Sequence, residues 1–209
     1  MLSIKVCGLR DNSNIEEVAA LSPDILGFIY FEGSPRFVGN NFRCKSYEKI
    51  HKAGVFVNPP IDYIQLVLKF NPLDIIQLHG NETPEFCESI RSLGVRVWKA
   101  FQLDGQFDFE KLRPFLDSCD LFLFDTKSEH YGGSGQKFDW KILESYPFQK
   151  GYFLSGGLSL DDLPALKTLN MKYLAGFDLN SRFETEPGIK DIKKIKTFLH
   201  EIRKHKIQS

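Results

Sequence analysis

Two residues in this chain of 209 could exchange protons with a bound molecule, and each ends a short apolar run. Cys7 closes the run Ser3–Cys7 and is followed by Gly8, Leu9 and Arg10. A cysteine in an apolar strand usually serves as packing. At an unperturbed pKa of about 8.5, only about 3% of such a thiol ionises at pH 7, so using it untuned as a base costs about 2 kcal/mol. A catalytic Cys7 therefore needs a positive influence nearby. Asp125 follows Leu121, Phe122, Leu123 and Phe124, where a carboxylate suits an apolar sheet poorly. It could cap a helix or form a turn. Beside apolar walls its pKa could instead rise, making it a proton donor, and with Cys7 it would form an acid–base pair.

Other side chains and loops suggest what such a pair would act upon. Arg36, in Ser34-Pro35-Arg36, carries a fork-shaped guanidinium able to grip a carboxylate with two hydrogen bonds, although a plain surface arginine reads the same way. Gln77 and His79 stand two positions apart at a strand end, so they face one side of a sheet. Three later loops contain glycine or small polar residues: GGSGQKFDW from Gly132, SGGLSLDD from Ser155, and FDLNSRFETEPGIKD from Phe177. Each alone marks only a turn. Together they could bring backbone N–H groups, and the helix N-termini that follow, towards an anion such as phosphate. There is no G-x-x-x-x-G-K-[ST] sequence, and no G-x-G-x-x-G opens a helix after the first strand, so no nucleotide cofactor is expected.

Positioning these groups falls to alternating strands and helices. Eight β-branched or aromatic runs lie near Ser3–Cys7, Ile25–Tyr30, Gly54–Asn58, Asp74–Leu78, Arg96–Phe101, Leu121–Asp125, Gly151–Leu154 and Tyr173–Phe177. Helical patterns cover Asn14–Leu21, Ile61–Phe70, Thr83–Leu93 and Gly188–Lys204, and the pattern is weakest after the second run. Roughly 26 residues per unit suits a compact (β/α)8 TIM barrel in the α/β class. An open doubly wound sheet would show the same alternation. The chemistry-bearing residues follow strands 1, 2, 4, 6, 7 and 8, and a closed ring points all those loops at one ligand.

Composition narrows the functional classes. Twenty-seven basic residues balance twenty-seven acidic ones, which leaves no overall field to attract nucleic acid or a membrane. The C-terminal KDIKKIKTFLHEIRKHK places Ile192, Ile195, Phe198, Leu199 and Ile202 at helical spacing, so its lysines read as a solvated face. Cys7, Cys44, Cys87 and Cys119 are widely spaced without a C-x-x-C pair, which predicts reduced thiols and no zinc site. The opening MLSIKVCGLR reads as a first strand rather than a secretory signal, and no linker interrupts residues 1–209. These features predict one cytoplasmic domain without a zinc site.

In order along the chain, KVCGLR (5–10), GFIYFEGSPRFV (27–38), VFVN (55–58), QLHG (77–80), LFDTKS (123–128), GGSGQKFDW (132–140), LSGGL (154–158) and PGIKD (187–191) resemble the phosphoribosylanthranilate isomerases of tryptophan biosynthesis. The resemblance spans nearly the whole chain. It implies an Amadori rearrangement of N-(5-phosphoribosyl)anthranilate, without metal or redox cofactor, on a small phosphorylated substrate bearing an aromatic carboxylate. It implies Asp125 as general acid, Cys7 as general base, Arg36 on the anthranilate carboxylate and Gln77 and His79 beside the substrate. It maps the phosphate site to Gly133, Ser134, Gly135, Gly156, Gly157, Asn180, Ser181 and Arg182, in a monomer or a homodimer. The last loop departs from the family's usual D-x-S-S-G-V-E, having Asn180 for the first Ser and Arg182 for Gly. The Arg182 side chain could grip phosphate, or point outward and leave only its backbone. Tyr131 and Ser155 replace the usual His and Ala.

Two rivals remain at this stage. The similar isomerase of histidine biosynthesis uses aspartates as both acid and base, which Cys7 argues against. A phosphate-binding barrel without turnover would not need the Cys7 and Asp125 pair.

Overall fold

A computed structural model of the chain describes residues 2–126, 139–168 and 171–204. Eight parallel strands close into a barrel in chain order: β1 (Ser3–Val6), β2 (Ile25–Ile29), β3 (His51–Phe56), β4 (Ile75–Leu78), β5 (Arg96–Leu103), β6 (Leu121–Thr126), β7 (Tyr152–Leu154) and β8 (Leu174–Leu179). The ring is sealed by β8 against β1, where Lys5 lies opposite Asp178 and Val6 opposite Leu179. This closure excludes the open-sheet alternative.

The period of two along each strand sorts side chains into two cores. Ile4, Val6, Ile76, Leu78, Phe122 and Phe124 point outward into a layer shared with the helices. Ile25, Ala53, Ile75, Trp98, Ala100, Leu123 and Phe153 fill the barrel interior, with Trp98 and Phe153 rings 4.6 Å apart. Following the inward set towards the strands' C-terminal ends leads from Ile75 to Gln77 and His79, and from Leu123 to Asp125. On β1 the same alternation runs from Lys5 to Cys7.

Among the described residues, five α-helices cover part of the ring: α1 (Asn12–Ala20), α2 (Ile61–Phe70), α3 (Pro84–Arg91), α4 (Leu163–Thr168) and α5 (Ile192–Lys204). Asp11 caps α1 by accepting from the Asn14 N–H at 2.8 Å, and Thr83 caps α3 ahead of Pro84 at its first position. As the spacing predicts, α5 buries Ile195, Phe198, Leu199 and Ile202.

Among the described residues the helical layer is thinner than eight equal units require. After β5 and β6 the chain makes 3₁₀ turns at Phe109–Phe115 and Trp140–Ser145. After β2, residues 31–50 form no helix, and Phe42 from this loop packs on Phe28 with ring centroids 4.9 Å apart. The expected helix Gly188–Lys204 also divides. Its first residues form β10 (Ile189–Lys190), antiparallel to β9 (Glu184–Glu186), before α5 begins. Gly188 turns the chain at φ +91°, and the Asn14 side chain binds both the N–H and the carbonyl of Lys190, at 2.6 and 3.0 Å. Those main-chain groups are therefore spent before a helix can use them.

Candidate active site

The C-terminal ends of the strands surround an open cleft whose envelope, counting the solvent at its mouth, is about 710 Å³. Its lining includes Cys7, Arg36, Gln77, His79, Asp125, Gly156, Gly157, Asn180 and Ser181. The acid and base candidates from β6 and β1 thus open on one cavity. Gly133, Ser134 and Gly135, like Tyr131, lie outside the described residues. Arg182 departs from the rest: it is exposed and lines a separate surface depression with Ser159, Leu160, Asp161 and Lys194. Arg182 is not among the residues that line the cleft.

Cys7 is buried at the end of β1, with its N–H bonded to the Leu179 carbonyl across the barrel seam at 2.8 Å. Burial pushes its pKa up from the ordinary thiol value, while Lys5 and Lys190 pull it down without overcoming that rise. Space for the sulfur comes from β2: a Cβ at Gly27 would sit 2.9 Å from Cys7 Sγ and 3.0 Å from its Cα.

Sequence reasoning missed the group beneath this thiol. Lys5, fully buried two residues earlier, donates to Asp178 Oδ2 at 2.9 Å. Burial alone would lower the Lys5 pKa, but Asp178 and Cys7 outweigh it and hold the ammonium above its usual value. Asp178 Oδ1 has no hydrogen-bond partner among the described residues, and Asp178 also lines the cleft. The available signal was a lysine and an aspartate at inward positions of two apolar strands, but their pairing is set only when the barrel closes.

Asp125 ends β6 half-buried, with Oδ1 accepting from the Thr126 N–H at 2.8 Å. Its Oδ2 stands 3.3 Å from His79 Nε2, which lacks a well-oriented hydrogen bond there. His79 Nδ1 lies 2.9 Å from Gln77 Nε2. If the amide donates, a neutral ring carries its proton on the nitrogen facing Asp125.

Arg36 is buried and already gripped. Its Nε donates to both carboxylate oxygens of Glu184, at 2.9 and 3.1 Å, and its Nη2 donates to Oε2 at 2.7 Å. Lys190 donates to the same carboxylate at 2.6 Å and to Asn180 Oδ1 at 2.9 Å. Glu184 and Lys190 also escaped sequence reasoning, because Glu184 reads as part of a turn-rich loop and Lys190 as part of the final helix. Gly8, at φ +78°, makes room for this group, since a Cβ there would meet Arg36 Cδ and Asn180 Oδ1, each at 2.7 Å.

Beyond β7, Gly156 and Gly157 adopt φ of +86° and +69°, a left-handed pair that lets the main chain turn against the cleft. A Cβ on Gly156 would lie 2.9 Å from Asp125 Oδ1 and closer still to Thr126. Among the described residues no cluster of His, Cys, Asp and Glu could hold a metal ion, and no helix is long and apolar enough to cross a membrane.

Residues 4–201 match the family model described as N-(5'-phosphoribosyl)anthranilate (PRA) isomerase. The chain is 44% identical to N-(5'-phosphoribosyl)anthranilate isomerase of Parabacteroides distasonis over 95% of its own length and 92% of the relative's. It is 40% identical to the protein of that name in Phocaeicola vulgatus, over 98% and 99% of the two chains. Among solved structures, phosphoribosyl anthranilate isomerase from Thermotoga maritima superposes with a TM-score of 0.85 at 27% identity, covering 98% of this chain and all of that one.

Proposed function

The chain belongs to the phosphoribosylanthranilate isomerase family of tryptophan biosynthesis, and from that premise we propose that Asp125 and Cys7 divide the acid and base steps of an Amadori rearrangement. The observation carrying this reading is that a carboxyl from β6 and a thiol from β1 line one cleft with a guanidinium and a left-handed glycine pair.

In the proposed sequence, Asp125 gives its proton to the furanose ring oxygen of N-(5-phosphoribosyl)anthranilate as the bond from that oxygen to C1 breaks. The nitrogen lone pair forms the imine. Cys7, as thiolate, then takes the C2 proton, and the electrons of that C–H bond give the enolamine. Ketonisation places a proton on C1 and releases one from the C2 hydroxyl. If the first comes from Cys7 and the second goes to Asp125, both groups return to their starting states and the reaction is a net isomerisation. A group that arrives with a proton and a group that arrives without one suit two opposite proton transfers.

Substrate recognition follows the same division. Arg36 binds the anthranilate carboxylate, and Gln77 and His79 flank the sugar near Asp125. The phosphate rests on the main chain around Gly156, Gly157, Asn180 and Ser181, with Arg182 contributing backbone only. Gly133, Ser134 and Gly135 complete that cradle on grounds of resemblance. Localised groups of this kind let a chain with no net charge hold a dianion.

The purified chain supplied with N-(5-phosphoribosyl)anthranilate is expected to extinguish the fluorescence of the anthranilate adduct while forming the carboxyphenylamino-deoxyribulose phosphate. Saturable binding without that loss would leave a ligand-binding barrel and overturn the mechanism.

A further inference from the structure

We propose that Glu184 is a positioning residue for substrate recognition: its carboxylate fixes the plane of the Arg36 guanidinium, so that the remaining N–H edge meets the aromatic carboxylate in one orientation. This rests on the reading of Arg36 given above and assigns a role to a residue that does not line the cleft.

The geometry provides both halves of the argument. Glu184 binds the Nε and Nη2 side of the fork, leaving Nη1 without a hydrogen-bond partner among the described residues, on a side chain that borders the cleft. Bidentate pairing sets a plane as well as a distance, and a guanidinium unable to rotate loses less entropy when it binds a second carboxylate. The stem is held too, because Arg36 Cδ packs where a Gly8 Cβ would stand.

Glu184 is itself immobilised. Lys190 Nζ reaches its Oε1 at 2.6 Å, the Gly188 N–H reaches the same oxygen at 3.1 Å, and the pair's side chains are 0% and 4% exposed. The hairpin of β9 and β10 therefore serves as a bracket for an arginine 148 residues earlier in the chain. Burial opposes the charge on Lys190 and Glu184 supports it, so the lysine holds the carboxylate in place while Arg36 alone borders the cleft.

The test compares two substrates, N-(5-phosphoribosyl)anthranilate and the corresponding aniline adduct, which lacks the carboxylate. Glu184→Gln is expected to lower kcat/KM for the first by about tenfold to a hundredfold, chiefly through KM, as expected for weakened charge-assisted hydrogen bonds. For the aniline adduct the loss is expected to stay within about twofold. Glu184→Asp, which keeps the charge but withdraws it by one methylene, is expected to fall between wild type and Glu184→Gln on the first substrate only; it supplies the test if Glu184→Gln does not fold. Equal losses on both substrates, or none on the anthranilate, would overturn the inference. Arg36→Lys separates the two levels. A selective loss there without one at Glu184 rejects only the positioning role, whereas no selective loss at Arg36 rejects the carboxylate reading and the positioning role with it.

Discussion

The proposed proton donor and proton acceptor differ at the residue scale in what surrounds them. Asp125 stands at the rim beside His79, whereas Cys7 is enclosed and its ionisation is opposed by burial. Asp125→Asn is expected to lower kcat by about 10²–10⁴, the range for a positioned acid, with the fold intact by circular dichroism. Near-normal turnover would remove Asp125 from the mechanism. For Cys7 the direction of the pKa shift sets the sign of the pH dependence. A base at Cys7 would act as thiolate and its pKa is raised, so kcat/KM is expected to climb with pH and to level off only above about 8.5, the unperturbed thiol value. A profile already flat at pH 7 would count against this thiol as the base. Cys7→Ala is expected to match the damage at Asp125. Cys44→Ala, Cys87→Ala and Cys119→Ala are expected to leave the chemical step unchanged, since none of these lines the cleft.

At the scale of elements, each strand presents its inward residues by alternation, and this much was legible in the sequence. The spacing of Gln77 and His79 gave their shared face, and Asp125 extended the inward series that begins at Leu123. The glycines after β7 announced a turn, although only coordinates reveal two successive left-handed residues. Lys5 and Glu184 were not legible, because each takes its meaning from a partner in a distant segment. The missing helix after β2 had no positive signal either; a weak period is also what a loop that packs with one phenylalanine looks like. Gly27 supplies a prediction at this scale. Gly27→Ala would press a methyl group against Cys7, and it is expected to cost about 1–3 kcal/mol in denaturant unfolding. Turnover is expected to fall by at least about tenfold, because small displacements of a reacting group are costly. Unchanged activity would mean that the sulfur does not need this gap.

Across the whole molecule, the sequence predicted a single catalytic barrel, and closure of the ring gives that expectation a physical test. Trp98 lies inside the barrel against Phe153, while Trp140 packs in the outer layer. If the chain is one cooperative unit, the single-tryptophan variants Trp98→Phe and Trp140→Phe are expected to unfold at denaturant midpoints that agree between fluorescence and circular dichroism within each variant. Separate midpoints would divide the barrel into independently melting parts. Balanced charge also leaves no property of the surface as a whole to forecast an anion site, since the cations beside the cleft are a few buried side chains.

The seam between β1 and β8 has a consequence for how the enzyme comes into being. The ammonium below the thiol and the carboxylate that holds it are 173 residues apart. At about 5–20 residues per second on the ribosome, the first waits roughly ten to thirty-five seconds for the second to be synthesised. A nascent chain therefore carries a buried-type lysine without its counter-ion until the eighth barrel strand emerges, and β1 cannot take its final place in the ring before then.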